Sequence, residues 1–160
     1  MSALYDRDLK GVETVAVNTD PAGLSKSEAD FKVLLGHVDG EDRIAAARAS
    51  AEASEGSLKE TLSSDIVFIV AGMGGAAGTG AAPIVARSAR ANGAVTIAIG
   101  IVPFDLEGRS EAAKRGLEDL RGRRAARQPL GDAHGVAGRP APQVVRHRHQ
   151  VDGVRRRRVV

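Results

Sequence analysis

Residues 65–92, DIVFIVAGMGGAAGTGAAPIVARSARAN, decide the fold of this 160-residue chain. Residues 65–71 are apolar after the leading Asp65, which is typical of a central strand covered on both faces. Residues 72–80 are rich in glycine and predict a loop. Residues 81–92 predict a helix, because Pro83 stands in its first turn, where a missing N–H is harmless. The stretch therefore predicts a strand, a glycine loop and a helix in direct succession.

The same alternation continues on both sides of this stretch. Further strands are predicted at residues 12–17, 31–35 and 94–101, and further helices at residues 43–62 and 107–120. Alternating strands and helices indicate an α/β fold, here a three-layer, Rossmann-like parallel sheet with crossover helices. The strand at 94–101 is expected to be buried like the one at 65–71. Ligands of such sheets bind beyond the carboxyl ends of the strands, where the loops 18–21, 72–80 and 103–108 should meet.

Composition excludes several classes of protein. The chain has no cysteine, one tyrosine, three phenylalanines and no tryptophan, so it offers no thiolate metal site and few platforms for stacking bases. We therefore regard nucleic acid as an improbable partner. No apolar stretch approaches the roughly 20 residues of a membrane helix, and no secretory signal is visible at Met1. A cytoplasmic protein without membrane contact is expected.

The last quarter of the chain differs from the rest. Residues 122–160 contain many arginines, ending in the run Arg155–Arg158, with no helical or strand period. We expect a nucleotide domain at residues 1–121 and an irregular tail at 122–160, disordered or arising from a frameshift near residues 120–124. His147 and His149 in this tail lack acidic partners, so no metal site is predicted. His37 and Asp39 are expected to form only a solvent-exposed pair in a loop.

The glycine loop at residues 72–80 is suited to an anion. Its glycines let the backbone approach a ligand closely, and successive N–H groups at a helix start can hold phosphate. A ligand-free crossover is the plain alternative. The P-loop motif needs Lys after its last glycine, but Ala81 follows Gly80. Gly72, Gly74 and Ala77 match the dinucleotide fingerprint without its later acid, which leaves an NAD(P)-dependent oxidoreductase as a lesser alternative.

Three ordered blocks resemble FtsZ, the prokaryotic tubulin homologue of cell division. Residues 65–83, DIVFIVAGMGGAAGTGAAP, are similar to the signature segment of that family. Residues 15–20, VAVNTD, are similar to its second strand and following turn. Residues 103–108, PFDLEG, are similar to its Pro-Phe-x-x-Glu-Gly loop. The resemblance extends from about Ala3 to Arg121.

The resemblance implies a GTPase that binds GTP or GDP with Mg²⁺ and polymerises into filaments at the division site. Glu107 would reach the ribose and Asn18 would lie beside the nucleotide, whereas Glu111 stands where the family usually has Arg. From the residues alone, Asn18 could equally belong to a plain turn and Glu107 to a helix start. The cofactor-binding residues implied are Asn18, Gly72, Gly74, Gly75, Gly78, Thr79, Gly80, Glu107 and Glu111.

The resemblance also defines what is not found in this sequence. The family's first strand and first phosphate loop are expected before Ala3, and its catalytic Asn-x-Asp-x-x-Asp loop after Arg121, but neither is present. No catalytic residue is therefore predicted, and hydrolysis is left open. The partner implied is another copy of the chain or full-length FtsZ. The alternative is a non-catalytic fragment that interacts with FtsZ filaments.

Overall fold

The structure is a computed structural model that describes residues 11–103, 110–122, 143–146 and 157–159. Its strands are β1 (Val12–Asn18), β2 (Phe31–Leu34), β3 (Ile66–Gly72), β4 (Val95–Ile101), β5 (Gln143–Arg146) and β6 (Arg157–Val159). Its helices are α1 (Pro21–Ser25), α2 (Arg43–Ala53), α3 (Glu55–Thr61), α4 (Ala82–Ala91) and α5 (Ser110–Leu120), with a π-helical turn (Ala77–Ala81) before α4. None of the helices in these ranges is long and apolar enough to cross a bilayer.

The strands form one six-stranded sheet in the order β4-β3-β6-β1-β2-β5. β1 is parallel to β2, β3 is parallel to β4, and β6 is parallel to both β1 and β3. Only β5 runs antiparallel, beside β2. The predicted α/β fold with a parallel sheet is therefore confirmed.

The helices divide between the two faces of the sheet. β1 leads to β2 in one direction and β3 leads to β4 in the other, so the strand order reverses between β1 and β3. Helices α2 to α5 cover one face, where α4 buries Ile84, Ala86 and Ala89 against Val67 and Ile69 of β3. Helix α1 covers the opposite face at β1, where Leu24 contacts Ala16 in a small separate cluster. The reversal is the place where parallel sheets bind ligands.

The prediction that β3 and β4 are covered on both faces is wrong. The outer face of this half of the sheet has no helix among the described residues, and Val70 in β3 is 37% exposed. On β4, Val95, Ile97, Ile99 and Ile101 are between 44% and 62% exposed. In both strands only alternate residues face the helices, but the residues between them are apolar as well. This continuous apolar run is the reason that the sequence pattern suggested burial of both faces.

The helix predicted at residues 43–62 is divided in the structure. Asp42 begins α2 by accepting a hydrogen bond from Ala45 N–H, 2.9 Å long. Ser54 separates α2 from α3 and bonds back to the Ser50 carbonyl at 2.8 Å. Gly56, a residue of low helix propensity, lies inside α3 and is not the position of the break. A serine that hydrogen-bonds the preceding turn bends a helix, which accounts for the position of the break.

Helix α1 was missed by the sequence analysis, which interpreted residues 18–21 as a turn. Asp20 accepts hydrogen bonds from Ala22 and Gly23 N–H, both 3.0 Å long, and Pro21 occupies the first helical position. An Asp followed by Pro is a recognised helix-start signal. The helix has only five residues, so its apolar periodicity could not be detected.

The tail departs from the expectation of no regular structure. Residues 143–146 form β5 beside β2, and residues 157–159 form β6 between β1 and β3. Strands of three or four residues are too short to show a period. They form because their backbone pairs with the edge of an existing strand. The remainder of the tail, including His147 and His149, lies outside the described residues. The division into 1–121 and 122–160 stays a prediction.

An ion pair joins the helices next to the π-helical turn. The Arg48 guanidinium in α2 contacts the Asp119 carboxylate in α5, with the two side chains 29% and 13% exposed. The second oxygen of Asp119, Oδ1, is buried and has no partner among the described residues. The Asp119 carboxylate thus depends on Arg48 for its compensation.

We expect Arg48→Met to destabilise the chain by about 2 kcal/mol, because it leaves a largely buried carboxylate without its partner. Adding Asp119→Asn should restore more than half of that loss, since the charge is then removed. Urea denaturation measures both. Lys114→Met is the matched control, because it breaks an exposed 3.2 Å pair with Glu111 and should cost under about 0.5 kcal/mol. Equal losses for Arg48→Met and Lys114→Met would contradict the assignment.

Candidate functional site

A cavity of about 290 Å³ opens at the strand-order reversal. It lies between the carboxyl halves of β1 and β3, with the glycine turn and α4 on one side and α1 on the other. Asn18, Gly72 and Gly78 line it together, although they are far apart in the sequence. The structure therefore brings the turn after β1 and the glycine loop to one place, as the topology predicted.

The glycine loop is shorter than expected because half of it is helical. β3 continues to Gly72, and the helical conformation begins by Ala76, so only residues 73–75 form a turn. Gly74 has a φ of 93°, a conformation that L side chains rarely adopt. The turn is followed by one π-helical turn, which is rare in proteins and is often found at functional sites.

Unpaired backbone N–H groups mark the start of this helix. Thr79 N–H bonds to the Gly75 carbonyl at 3.0 Å, which closes the first turn. The N–H groups of residues 75–78 have no acceptor among the described residues. They lie at the positive end of the dipole of α4 and its preceding turn, so they can bind an anion without any cationic side chain.

Thr79 stabilises the turn from within. Its Oγ1 accepts a hydrogen bond from Gly74 N–H, 2.7 Å long, and the residue is buried. A Cβ added to Gly116 of α5 would lie only 2.5 Å from the Cγ2 of Thr79, so Thr79 packs closely on α5 because Gly116 has no side chain. The predicted contact between Thr79 and phosphate stays a prediction, and the structure adds a packing role.

Two glycines permit close backbone contacts. A Cβ on Gly78 would lie 2.0 Å from the Gly72 carbonyl oxygen, so the helix start can approach β3 only without a side chain there. A Cβ on Gly80 would lie 2.3 Å from the Ile44 carbonyl oxygen in α2. Gly75, in contrast, has open space around it. The glycines of this run thus differ: Gly78 and Gly80 allow close packing, whereas Gly75 has open space beside it and does not line the cavity.

Asn18 combines the two interpretations considered for it. Its Oδ1 accepts hydrogen bonds from the N–H groups of Thr19 and Asp20, at 2.8 and 3.2 Å, which makes the local turn. The residue also forms part of the cavity wall. Its Nδ2 lies near Gly23, where an added Cβ would come within 3.1 Å of it. Its contact with a nucleotide stays a prediction.

The two predicted acids are not both seen. Glu107 lies outside the described residues. Glu111 is in the first turn of α5, is exposed, and pairs with Lys114 at 3.2 Å. It does not line the cavity. His37 and Asp39 form the expected solvated pair, 2.8 Å apart with both side chains more than three-quarters exposed.

None of the described residues that line the cavity carries a charged side chain. They are Val15, Ala16, Val17, Asn18, Gly23, Leu24, Ser27, Ile69, Val70, Ala71, Gly72, Ala77, Gly78, Ala81, Ala82 and Val85. The sequence analysis named Ala77 only in the dinucleotide fingerprint and missed Ala81 and Ala82, which also line the cavity. Repeated alanine directly after a glycine loop was the available signal.

Within the described ranges, no three His, Asp or Glu residues cluster in a way that would hold a metal ion.

The fold and this turn define a class of protein. A doubly wound parallel sheet with a glycine turn and a helix start at its strand-order reversal is the architecture of the Rossmann-type nucleotide-binding domains. The sequence matches the Tubulin/FtsZ family, GTPase domain, over residues 3–124. The chain belongs to that family.

Named relatives agree with this assignment. The chain is 41% identical over 129 residues to "Cell division protein FtsZ 2" of Haloferax volcanii, and this match covers 76% of the chain and 32% of the relative. It is 43% identical over 121 residues to "Cell division protein FtsZ 1" of Halobacterium salinarum, covering 71% of this chain and 31% of the relative. The chain thus spans about a third of the length of these relatives.

Proposed function

We propose that this chain is a guanine-nucleotide-binding part of an FtsZ-like cell-division GTPase. The observation that carries the proposal is the set of unpaired N–H groups at residues 75–78, at the start of a helix on the ligand-binding edge of the sheet. The relatives named cell division protein FtsZ support the choice of nucleotide and of process. GTP or GDP would place its phosphates at Gly74, Gly75 and Gly78, with Asn18 beside the nucleotide.

Mg²⁺ would be held chiefly by the nucleotide itself. The part of the cavity wall that the structure describes offers no carboxylate, and Mg²⁺ commonly binds phosphate oxygens and water with few protein ligands. Its contribution would be to neutralise phosphate charge. The proposed location is the cytoplasm, and the proposed partner is another copy of the chain or full-length FtsZ.

The test is equilibrium binding of a fluorescent GTP analogue, with unlabelled GTP, GDP, ATP and NAD as competitors. Gly75→Asp should weaken binding at least about tenfold, because it places a carboxylate beside the phosphates where Gly75 has open space. Gly56→Asp is the matched control, since Gly56 also has open space but lies in α3, and its affinity should stay within about twofold. Displacement by NAD alone would favour the oxidoreductase alternative and refute the proposal.

Binding without turnover is the second candidate. It is favoured by the exposed apolar face of β3 and β4, which can contact another subunit. In this case the chain would bind full-length FtsZ and inhibit its assembly at sub-stoichiometric amounts, with less than one copy of the chain per FtsZ subunit. Phosphate release from GTP by the purified chain would exclude this candidate.

A further inference from the structure

The glycine turn and the π-helical turn that follows it are held between two helices, α2 on one side and α5 on the other. On the α2 side, a Cβ added to Gly80 would lie 3.0 Å from the backbone nitrogen of Arg48. On the α5 side, a Cβ added to Gly116 would lie 3.3 Å from the Sδ of Met73 and 3.3 Å from the Cα of Thr79. Contacts this close leave the turn little room to move independently of the two helices.

The unpaired N–H groups of residues 75–78 lie between these points of contact. Thr79 Oγ1 accepts a hydrogen bond from Gly74 N–H at 2.7 Å, and Thr79 N–H donates to the Gly75 carbonyl at 3.0 Å. Both bonds close the turn at Thr79, which packs on α5, whereas the next residue, Gly80, packs on α2. A change in the spacing of α2 and α5 would therefore displace the N–H groups.

One ion pair links α2 directly to α5. The Arg48 guanidinium donates to the Asp119 carboxylate, and no other hydrogen bond or ion pair joins these two helices among the described residues. The backbone of Arg48 lies against Gly80, and Asp119 follows Gly116 by three residues, on the same face of α5. The pair is largely buried, and separating it would leave the Asp119 carboxylate uncompensated, so it favours a narrow range of helix spacings.

We propose that Arg48 and Asp119 are positioning residues for the bound phosphates: their ion pair fixes the spacing of α2 and α5 and so holds the N–H groups of residues 75–78 in the geometry that binds phosphate. Neither residue lines the cavity, so both act through the turn and not by contact with the ligand. Hydrogen bonds weaken steeply when the donor is misdirected, which makes affinity sensitive to small shifts of the turn. The inference rests on the proposed function, because it takes the ligand of these N–H groups to be a nucleotide phosphate.

The test separates positioning from stability. Arg48→Met should weaken binding of the fluorescent GTP analogue at least about fivefold, measured at a temperature at which every variant is folded. Adding Asp119→Asn removes the uncompensated charge and restores more than half of the lost stability, but it does not restore the link between the helices. The double variant should therefore bind within about twofold of Arg48→Met. A pair that served stability alone would give the opposite result, with affinity returning together with stability.

Two further variants serve as controls. Arg48→Lys keeps a cation beside Asp119 and should bind the analogue within about threefold of the unmodified chain. Arg87→Met removes a 2.9 Å ion pair with Glu55, which joins α4 to α3 and not α2 to α5, so its affinity should stay within about twofold. Recovery of affinity in the double variant, or an equal loss with Arg87→Met, would overturn the proposal.

Hydrogen exchange tests the same inference without a nucleotide. The amides of Gly74 and Thr79 are hydrogen-bonded within the turn, whereas the amide of Leu58 is hydrogen-bonded in α3 and serves as the internal reference. In the double variant, exchange at Gly74 and Thr79 should accelerate at least about tenfold relative to Leu58. Unchanged relative exchange would overturn the proposal. If the unmodified chain does not bind GTP, the proposed function alone fails, and hydrogen exchange still decides whether Arg48 and Asp119 position the turn.

Discussion

Gly78→Ala is expected to lower the free energy of unfolding by about 3 kcal/mol or more, the upper end of the cost of overpacking. The added Cβ would lie 2.0 Å from the Gly72 carbonyl oxygen and 2.8 Å from its carbon. Both contacts are with backbone, so no side chain can rotate away. The helix start must then move from β3, and the N–H groups of residues 75–78 move with it.

The measurement is urea denaturation combined with nucleotide binding. The midpoint should fall with little change in the m value, because the same surface is exposed on unfolding. Gly75→Ala is the matched control in the same turn, since a Cβ there has nothing within 4 Å. It should change stability by less than about 0.5 kcal/mol. Similar losses for both variants would show that backbone freedom, and not close approach, is what the loop requires.

Gly80→Ala should destabilise the chain by about 2–3 kcal/mol for a different reason. Its Cβ would lie 2.3 Å from the Ile44 carbonyl oxygen and 3.0 Å from Arg48 N, both in α2. The substitution would push α2 away from the π-helical turn and disturb the ion pair between Arg48 and Asp119. Thermal unfolding should show a lower Tm, by about 2–4 °C per kcal/mol for a chain of this size.

Gly56→Ala is the control for this second substitution, and it should act in the opposite direction. Gly56 lies inside α3 with open space around it, so alanine meets no atom and reduces the entropy lost on folding. We expect a gain of about 0.5–1 kcal/mol. Destabilisation by Gly56→Ala would mean that glycine replacement harms this chain irrespective of local packing.

Nucleotide affinity separates the two destabilising variants further. Gly78 lines the cavity, whereas Gly80 packs on α2. At a temperature where both variants remain folded, Gly78→Ala should lose more affinity for GTP than Gly80→Ala. The reverse order would place the anion on the α2 side of the turn.

The predictability of the fold differed between elements for physical reasons. The run from β3 to α4 was predictable because an apolar strand, several glycines and a proline in a first helical turn are all local signals. The C-terminal end of α4 was predictable too, because a glycine that directly follows a helix commonly ends it, and Gly93 has a φ of 84° in the structure. Helix α1 and strands β5 and β6 were missed, because elements of three to five residues carry no period. Their formation depends on a cap or on a neighbouring strand edge.

Burial and the site show the same division. The apolar runs of β3 and β4 could not reveal that one face has no helix in the described part of the chain, because burial depends on where the crossovers lie. The sequence placed Gly72, Gly74, Gly75, Gly78, Thr79 and Gly80 in one candidate site, but it could not separate their roles. The structure assigns Gly78 to contact with β3 and Gly80 to contact with α2, and it leaves Gly75 open.

By itself, the sequence determined the family, the order of strand, glycine turn and helix, and the edge of the sheet at which the turn after β1 and the glycine turn meet. These follow from local backbone preference and from the rule that parallel strands share one carboxyl edge. Only the tertiary structure decided which strand residues of the described part are exposed and which glycines must lack a side chain. Those features depend on distances between segments far apart in the chain, and no local pattern of residues encodes such distances.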